Sequence, residues 1–202
     1  MTILDLDSKE ERGGTSLSNS SEARLAVFLY SSLKDITQGV SAQSRVAVIT
    51  PYSQQAKLLR RFFHDLLGKE FERFVEVNTV DAFQGREAKI VIFSAVRAAG
   101  SHGIGFLSDV RRMNVALTRA KHFLFVIARC QSIVVNPYWK QLVEHARERS
   151  AVLRVPFAAR DGRHSPNGPA FQNLLEWEAE TPMNPASQAA KPSDPRKRKW
   201  GQ

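Results

Sequence analysis

Cysteine occurs once in the 202 residues, at Cys130, so an internal disulfide and a cysteine-built zinc site are excluded. That thiol ends an apolar run and reads as a small, partly buried residue suited to a reducing compartment. The five histidines (His64, His102, His122, His145 and His164) show no His-x-x-x-His spacing, and none reads as a metal ligand. No apolar run is long enough to cross a bilayer. The acidic start MTILDLDSKEERGG lacks the basic, apolar, small-residue order of a signal peptide. Three loop motifs of α/β proteins are also missing. There is no Gly-x-x-x-x-Gly-Lys-Ser/Thr, no Gly-x-Gly-x-x-Gly after a strand and no Gly-x-Ser-x-Gly. GIGFLS at Gly103–Ser108 comes nearest and lacks the third glycine. A self-contained nucleotide hydrolase, a dinucleotide enzyme and an α/β-hydrolase are therefore not expected.

What is present is apolar residue at 43%, enough for a core, and a formal charge of +9. The segment from Phe157 holds seven Lys/Arg and five Asp/Glu, which leaves +7 on residues 1–156. A basic folded part favours phosphate-rich partners, although many soluble proteins are simply basic.

Apolar runs predict strands at Ile3–Asp7, Val46–Thr50, Val75–Val80, Ile90–Val96, Phe123–Ala128 and Val152–Val155. Several are near-continuous in Val, Ile and Phe, the pattern of strands buried on both faces of a parallel sheet. Helical patterns lie between them. SEARLAVFLYSSL is read with Ser21 as N-cap. SQQAKLLRRFFHDLL ends on Gly68 as C-cap. SDVRRMNVALTRA starts from Ser108, and NPYWKQLVEHARERS has Asn136 as cap and Pro137 at the first helical position. Alternating strands and helices predict an α/β domain with a mainly parallel sheet over residues 1–156. Residues 157–202, rich in Pro, Ser and Asn, read as a disordered basic tail in which FQNLLEWEAE is a short amphipathic helix or docking segment.

Three stretches carry chemistry. In TVDAFQGRE, Thr79 and Asp81 end a strand, Gly85 permits a tight turn or a close ligand approach, and Arg86 and Glu87 offer a phosphate-pairing cation and a hydroxyl acceptor. The same residues equally fit an Asp-capped turn with an exposed ion pair. In DVRRMNVALTRAK, Arg112 and Arg119 are seven apart and read as sharing one helix face, and Arg119 and Lys121 stand where that helix gives way to a strand, although a basic solvated helix face accounts for the same arginines. In ITPYSQQ, Pro51 sets a turn, Thr50 offers a hydroxyl and Tyr52 a π-face for a base or ribose. Alone, that last stretch is a turn with a packed tyrosine.

In order, VAVITPYSQQ, VNTVDAFQGREAKIVIFSAVRA and GFLSDVRRMNVALTRAKHFLFVIAR closely resemble motifs IV, V and VI of superfamily 1 helicases, of the up-frameshift and senataxin type. The resemblance covers residues 1–156. It implies a RecA-like, P-loop-NTPase-type three-layer domain without a P-loop of its own. It also implies that Gly85 and Glu87 face the nucleotide, Glu87 at the ribose, and that Arg119 is the catalytic arginine finger on the γ-phosphate. Thr50, Pro51, Tyr52, Thr79, Val80 and Arg97 would lie near a single strand of RNA or DNA, in a helicase acting on RNA or RNA–DNA hybrids. The implied cofactor is ATP with Mg2+, whose Walker ligands belong to the family's first domain.

That first domain is missing here, with its Walker A lysine and Walker B acidic pair. The chain is therefore expected to be a fragment of a longer protein or a truncated reading of a gene, and inactive as an ATPase by itself. The alternative is a non-catalytic orphan domain that binds nucleic acid or a partner. No membrane association is expected. PRKRKW at Pro195–Trp200 reads as a nuclear import signal or phosphate-binding patch, so the expected location is nuclear or cytoplasmic, with that cluster pointing to the nucleus.

Overall fold

The computed structural model describes residues 1–37, 46–98 and 104–155. The Phe157 tail, FQNLLEWEAE and Pro195–Trp200 lie outside the described residues. The element order is β1 (Thr2–Asp5), β2 (Glu11–Gly13), β3 (Ser16–Ser18), α1 (Ser20–Thr37), β4 (Val46–Thr50), α2 (Ser53–Leu67), β5 (Val75–Thr79), β6 (Ala88–Ser94), α3 (Val110–Leu117), β7 (Ala120–Ala128), α4 (Cys130–Ile133), α5 (Pro137–Glu148) and β8 (Val152–Arg154). Single 3₁₀ turns occur at Phe71–Arg73, Asp81–Phe83 and Gly105–Ser108.

Six strands form one sheet in the order β5-β4-β6-β7-β1-β8, and every pairing is parallel. The near-continuous apolar runs find their reason here, because successive side chains on each strand enter different cores. Leu4, Val48, Ile92 and Ile127 join Leu25, Leu29, Leu59 and Phe63 of α1 and α2 on one face. Ile3, Ile49, Val91, Phe93 and Val126 join Met113, Trp139 and Val143 of α3 and α5 on the other. Each fully buried Leu, Ile or Phe contributes about 1.5–3 kcal/mol through burial. The result is the three-layer α/β/α arrangement expected from the strand-helix alternation.

Two start signals differ from their sequence reading. The N-cap of α1 is Asn19, whose Oδ1 accepts from the Glu22 N–H at 3.1 Å, and Ser21 lies inside the helix. The N-cap of α3 is Asp109, which accepts from Arg111 N–H at 2.9 Å, while Ser108 donates its hydroxyl to the Gly105 carbonyl. In both cases a carbonyl or carboxylate oxygen near the serine won the donor. Gly68 and Asn136 cap as expected. The β2–β3 hairpin was not legible, since its strands are three residues each and half-exposed or exposed. It sits at the start of α2, where Ser16 Oγ accepts from Gln54 N–H at 3.3 Å. Cys130, expected to be partly buried, is fully buried and donates its N–H to Asp5 Oδ1 at 2.8 Å.

Candidate nucleotide and nucleic-acid rims

Parallel register sorts the singled-out residues to two opposite ends of the sheet. Ala88 pairs with Ala120, so β6 and β7 begin side by side, and the residues just before them, Gly85–Glu87 and Arg119, share that end. Thr50 pairs with Thr79, so Thr50–Tyr52 and Thr79–Val80 lie where β4 and β5 finish, and Arg97 follows the finish of β6. Seven residues of β6 put about 20 Å between the two ends.

At the starting end, α3 stops at Leu117 and Arg119 lies in the turn beyond it. Arg112 and Arg119 therefore do not share a helix face, as their spacing had suggested. Nor is Arg119 at a lateral edge, because β7 is an interior strand. Its half-buried guanidinium is held in three places. Nε donates to the Val115 carbonyl at 2.9 Å, Nη2 to Thr118 Oγ1 at 2.9 Å and Nη1 to the Arg86 carbonyl at 3.4 Å. A cation at a helix C-terminus is also favoured by the helix dipole. Glu87 is exposed and pairs with Lys121 Nζ at 3.1 Å. Gly85 has φ +78°, and a Cβ there would meet nothing within 4 Å. The glycine is thus required by backbone conformation, and the space above it is open.

At the finishing end, Pro51 and Thr79 are partly exposed, whereas Thr50, Tyr52, Val80 and Arg97 are buried. The Val80 N–H donates to the Thr50 carbonyl at 3.0 Å, joining the two loops. Tyr52 has its hydroxyl pushed up to about 12 by burial, against the opposing Arg97 guanidinium, so it stays a neutral phenol. Its π-face is packed away. The exposed aromatic at this end is Phe106, 47% accessible, which meets the Tyr52 ring edge-on at 5.6 Å. Arg112 lies over the Phe106 ring at 4.7 Å. Sequence reading weighed GIGFLS only for its glycines and passed over Phe106.

The segment 80–87 runs between the two ends, from the finish of β5 across β4 to the start of β6. Eight residues with one 3₁₀ turn do the work for which parallel strands usually need a dozen or more. Val80 and Phe83 anchor it in the core beside α3. Asp81 pairs with Arg112 at 3.0 Å, and Arg86 pairs with Glu76 and lies over Phe83 at 5.4 Å.

A third constellation lies beneath the finishing end and was missed. Asn19, Glu22, Gln55 and Ser94 are all fully buried. Glu22 Oε2 accepts from Ser94 Oγ at 2.6 Å and from Val96 N–H at 2.9 Å. Gln55 Nε2 donates to Ser94 Oγ at 2.9 Å and to the Asn19 carbonyl at 3.1 Å, and its Oε1 accepts from Asn19 N–H at 2.8 Å. Burial pushes the Glu22 carboxyl up to about 8, against the hydrogen bonds from Ser94 and Val96. The legible signal was the Asn-x-x-Glu spacing at a helix start. Among the described residues no group of three His, Cys, Asp or Glu is placed to hold a metal ion. No helix among them is long and apolar enough to cross a membrane.

An all-parallel six-stranded sheet between two helical layers places the domain in the doubly wound α/β class, of which RecA-like domains are one form. Residues 1–131 match the AAA domain family, and the chain belongs to that family, as the C-terminal half of a superfamily 1 helicase core. It is 39% identical over 137 residues to "Probable helicase MAGATAMA 3" of Arabidopsis thaliana, covering 68% of this chain and 17% of the relative. It is 38% identical over 162 residues to "Helicase sen1" of Schizosaccharomyces pombe, covering 80% of this chain and 10% of the relative. With "DNA replication ATP-dependent helicase/nuclease DNA2" of Mus musculus it shares 41% identity over 147 residues, 72% of this chain and 13% of the relative. The chain thus spans less than a fifth of the length of each of these relatives.

Proposed function

We propose that this chain is the second motor domain of an ATP-dependent helicase, closing on a first RecA-like domain around ATP and moving along single-stranded RNA or DNA. The observation that carries the reading is the meeting of Arg119 with the Gly85–Glu87 loop, 33 residues away in sequence, at one end of the sheet. Arg119 is the finger that stabilises charge on the transferring γ-phosphoryl group, a contribution of about 10³–10⁵ in rate. Its triple hydrogen bonding holds the guanidinium near the cleft before ATP arrives, so little reorganisation is left to the reaction. Glu87 accepts from the ribose hydroxyls after releasing Lys121, and Gly85 lets the backbone approach the nucleotide. The magnesium ligands and the phosphate-cradling lysine would come from the first domain.

At the finishing end, Pro51 and Thr79 touch the strand directly. Thr50, Tyr52, Val80 and Arg97 shape the floor beneath it, and Phe106 offers a face for a base. Contacts of this kind are salt-sensitive and weakly selective for sequence. The anchored segment 80–87 links the nucleotide end to the strand end. Its attachment to both makes it the path by which ATP state alters grip. The basic Pro195–Trp200 cluster favours a nuclear location.

The test is Arg119→Ala in a protein that joins this domain to a P-loop domain. Strand-stimulated ATP turnover falls by about 10³ or more while ATP binding persists. Near-normal turnover would remove the finger assignment. The alternative reading is an orphan domain that binds nucleic acid or a partner without hydrolysis. An upstream coding sequence with no in-frame Gly-rich Lys-Ser/Thr loop would decide for it.

A further inference from the structure

Strand β6 leaves the sheet through a conformation that its sequence resists. Val96 has φ +70°, a region that β-branched residues rarely enter. The Arg97 N–H donates back to the Ala95 carbonyl at 2.8 Å, closing a three-residue γ-turn of the uncommon positive-φ kind. Such strain persists only where the surroundings over-determine it, and it concentrates at functional positions.

The surroundings here are specific. Ala95 N–H is still tied to the Ile127 carbonyl at 3.0 Å. Val96 is gripped from both sides of its peptide plane pair, its N–H by Glu22 Oε2 at 2.9 Å and its carbonyl by Asn19 Nδ2 at 3.1 Å. Ala98 N–H is taken by Glu10 Oε2 at 2.8 Å, and the Ala98 carbonyl by Arg129 Nη1 at 2.8 Å. The turn delivers the Arg97 guanidinium to Glu10 Oε1 at 3.0 Å, beside Tyr52 and under the finishing end of β4. An extended residue at position 96 would send the chain, and Arg97, elsewhere.

We propose that Asn19 and Glu22 are positioning residues for Arg97: they hold Val96 in its left-handed turn and so set the Arg97–Glu10 pair under the strand-binding rim. The helix cap of α1 and the far end of β6, 77 residues apart, thereby become one device. A core carboxylate serving only stability has no need of a strained neighbour, whereas one that imposes a backbone turn does. The device rests on the strand-binding reading for its purpose but not for its geometry.

The test uses the full chain with two readouts, the ¹⁵N–¹H resonance of the Arg97 guanidinium and the affinity for a fluorescent oligouridylate. Loss in Arg97→Lys identifies the resonance. Asn19→Ser keeps a good helix cap but removes the donor to the Val96 carbonyl. Glu22→Ala removes the acceptor for its N–H. Each is expected to abolish the ordered Arg97 signal and weaken oligouridylate binding on the order of tenfold. Adding Val96→Gly, which enters positive φ freely, is expected to restore both. An unchanged Arg97 signal in Asn19→Ser, or no recovery with Val96→Gly, overturns the proposal. A signal that is lost and recovered as expected while oligouridylate affinity never moves supports the positioning role and instead overturns strand binding at this end.

Discussion

Arg112 Nε donates to Asp81 Oδ1 at 3.0 Å, joining α3 to the crossover between β5 and β6 across 31 residues of chain. The same guanidinium lies over Phe106. One side chain thus ties the 80–87 segment to the exposed aromatic at the finishing end of the sheet. The carboxylate is largely exposed and the guanidinium a third exposed, so solvent and salt weaken the ion pair. A double-mutant cycle of Arg112→Ala and Asp81→Ala is expected to give a coupling of about 0.2–1 kcal/mol that shrinks in high salt. Arg112→Ala alone is expected to cost more than Asp81→Ala, because it also strips the ring contact. Urea unfolding of the four proteins measures both, and equal single losses would deny the ring a share.

Phe106 is an exposed aromatic at the finishing end of the sheet, held by the Tyr52 ring and the Arg112 guanidinium, and the proposed strand contact would use it as a platform for a base. Phe106→Ala is expected to weaken binding of a single-stranded oligonucleotide by about 1–3 kcal/mol, if one base stacks there. Phe106→Trp retains affinity, and its fluorescence falls on binding. Titration of both variants reads this, and unaltered affinity in the alanine variant excludes the platform.

Gly85 separates a backbone requirement from a packing one. Its φ of +78° with open space above means that Gly85→Ala meets no clash but carries the left-handed penalty of about 1–2 kcal/mol. Gly85→Asn is expected to cost less, since asparagine tolerates this region better. Thermal unfolding ranks the two, and the reverse order would mean that crowding, not φ, governs the position.

Glu22 makes stability depend on pH in an unusual sense for a carboxylate. Its ordinary value of 4.5 is pushed up to about 8, chiefly by burial. Between those values the folded protein keeps a proton that the unfolded chain has released, so stability is full below 4.5 and falls as pH rises through about 8. Glu22→Gln removes this contribution and flattens the decline relative to wild type. Denaturant unfolding from roughly pH 5 to 9 gives the comparison, and parallel profiles would show that Glu22 is ionised in the fold.

The residue pattern alone determined the layers. Near-continuous apolar runs at Val46–Thr50 and Ile90–Val96 demand cover on both faces, and amphipathic α2 and α5 supply it, because burial of apolar surface depends on period and not on detail. Gly68, Asn136 and Pro137 marked their helix ends through local backbone chemistry. The family was legible too, from three ordered motifs. Only the tertiary structure decided where those motifs point. TVDAFQGRE read as one loop with two faces, yet parallel register places its first residues at the finish of β5 and its last at the start of β6. Caps at Asn19 and Asp109 were settled by which oxygen could reach the free N–H groups, a matter of ångströms that a string of letters does not hold. The grip of Asn19 and Glu22 on Val96 was invisible for the same reason. It joins groups 77 and 74 residues apart in sequence, and only folding brings them within hydrogen-bonding range.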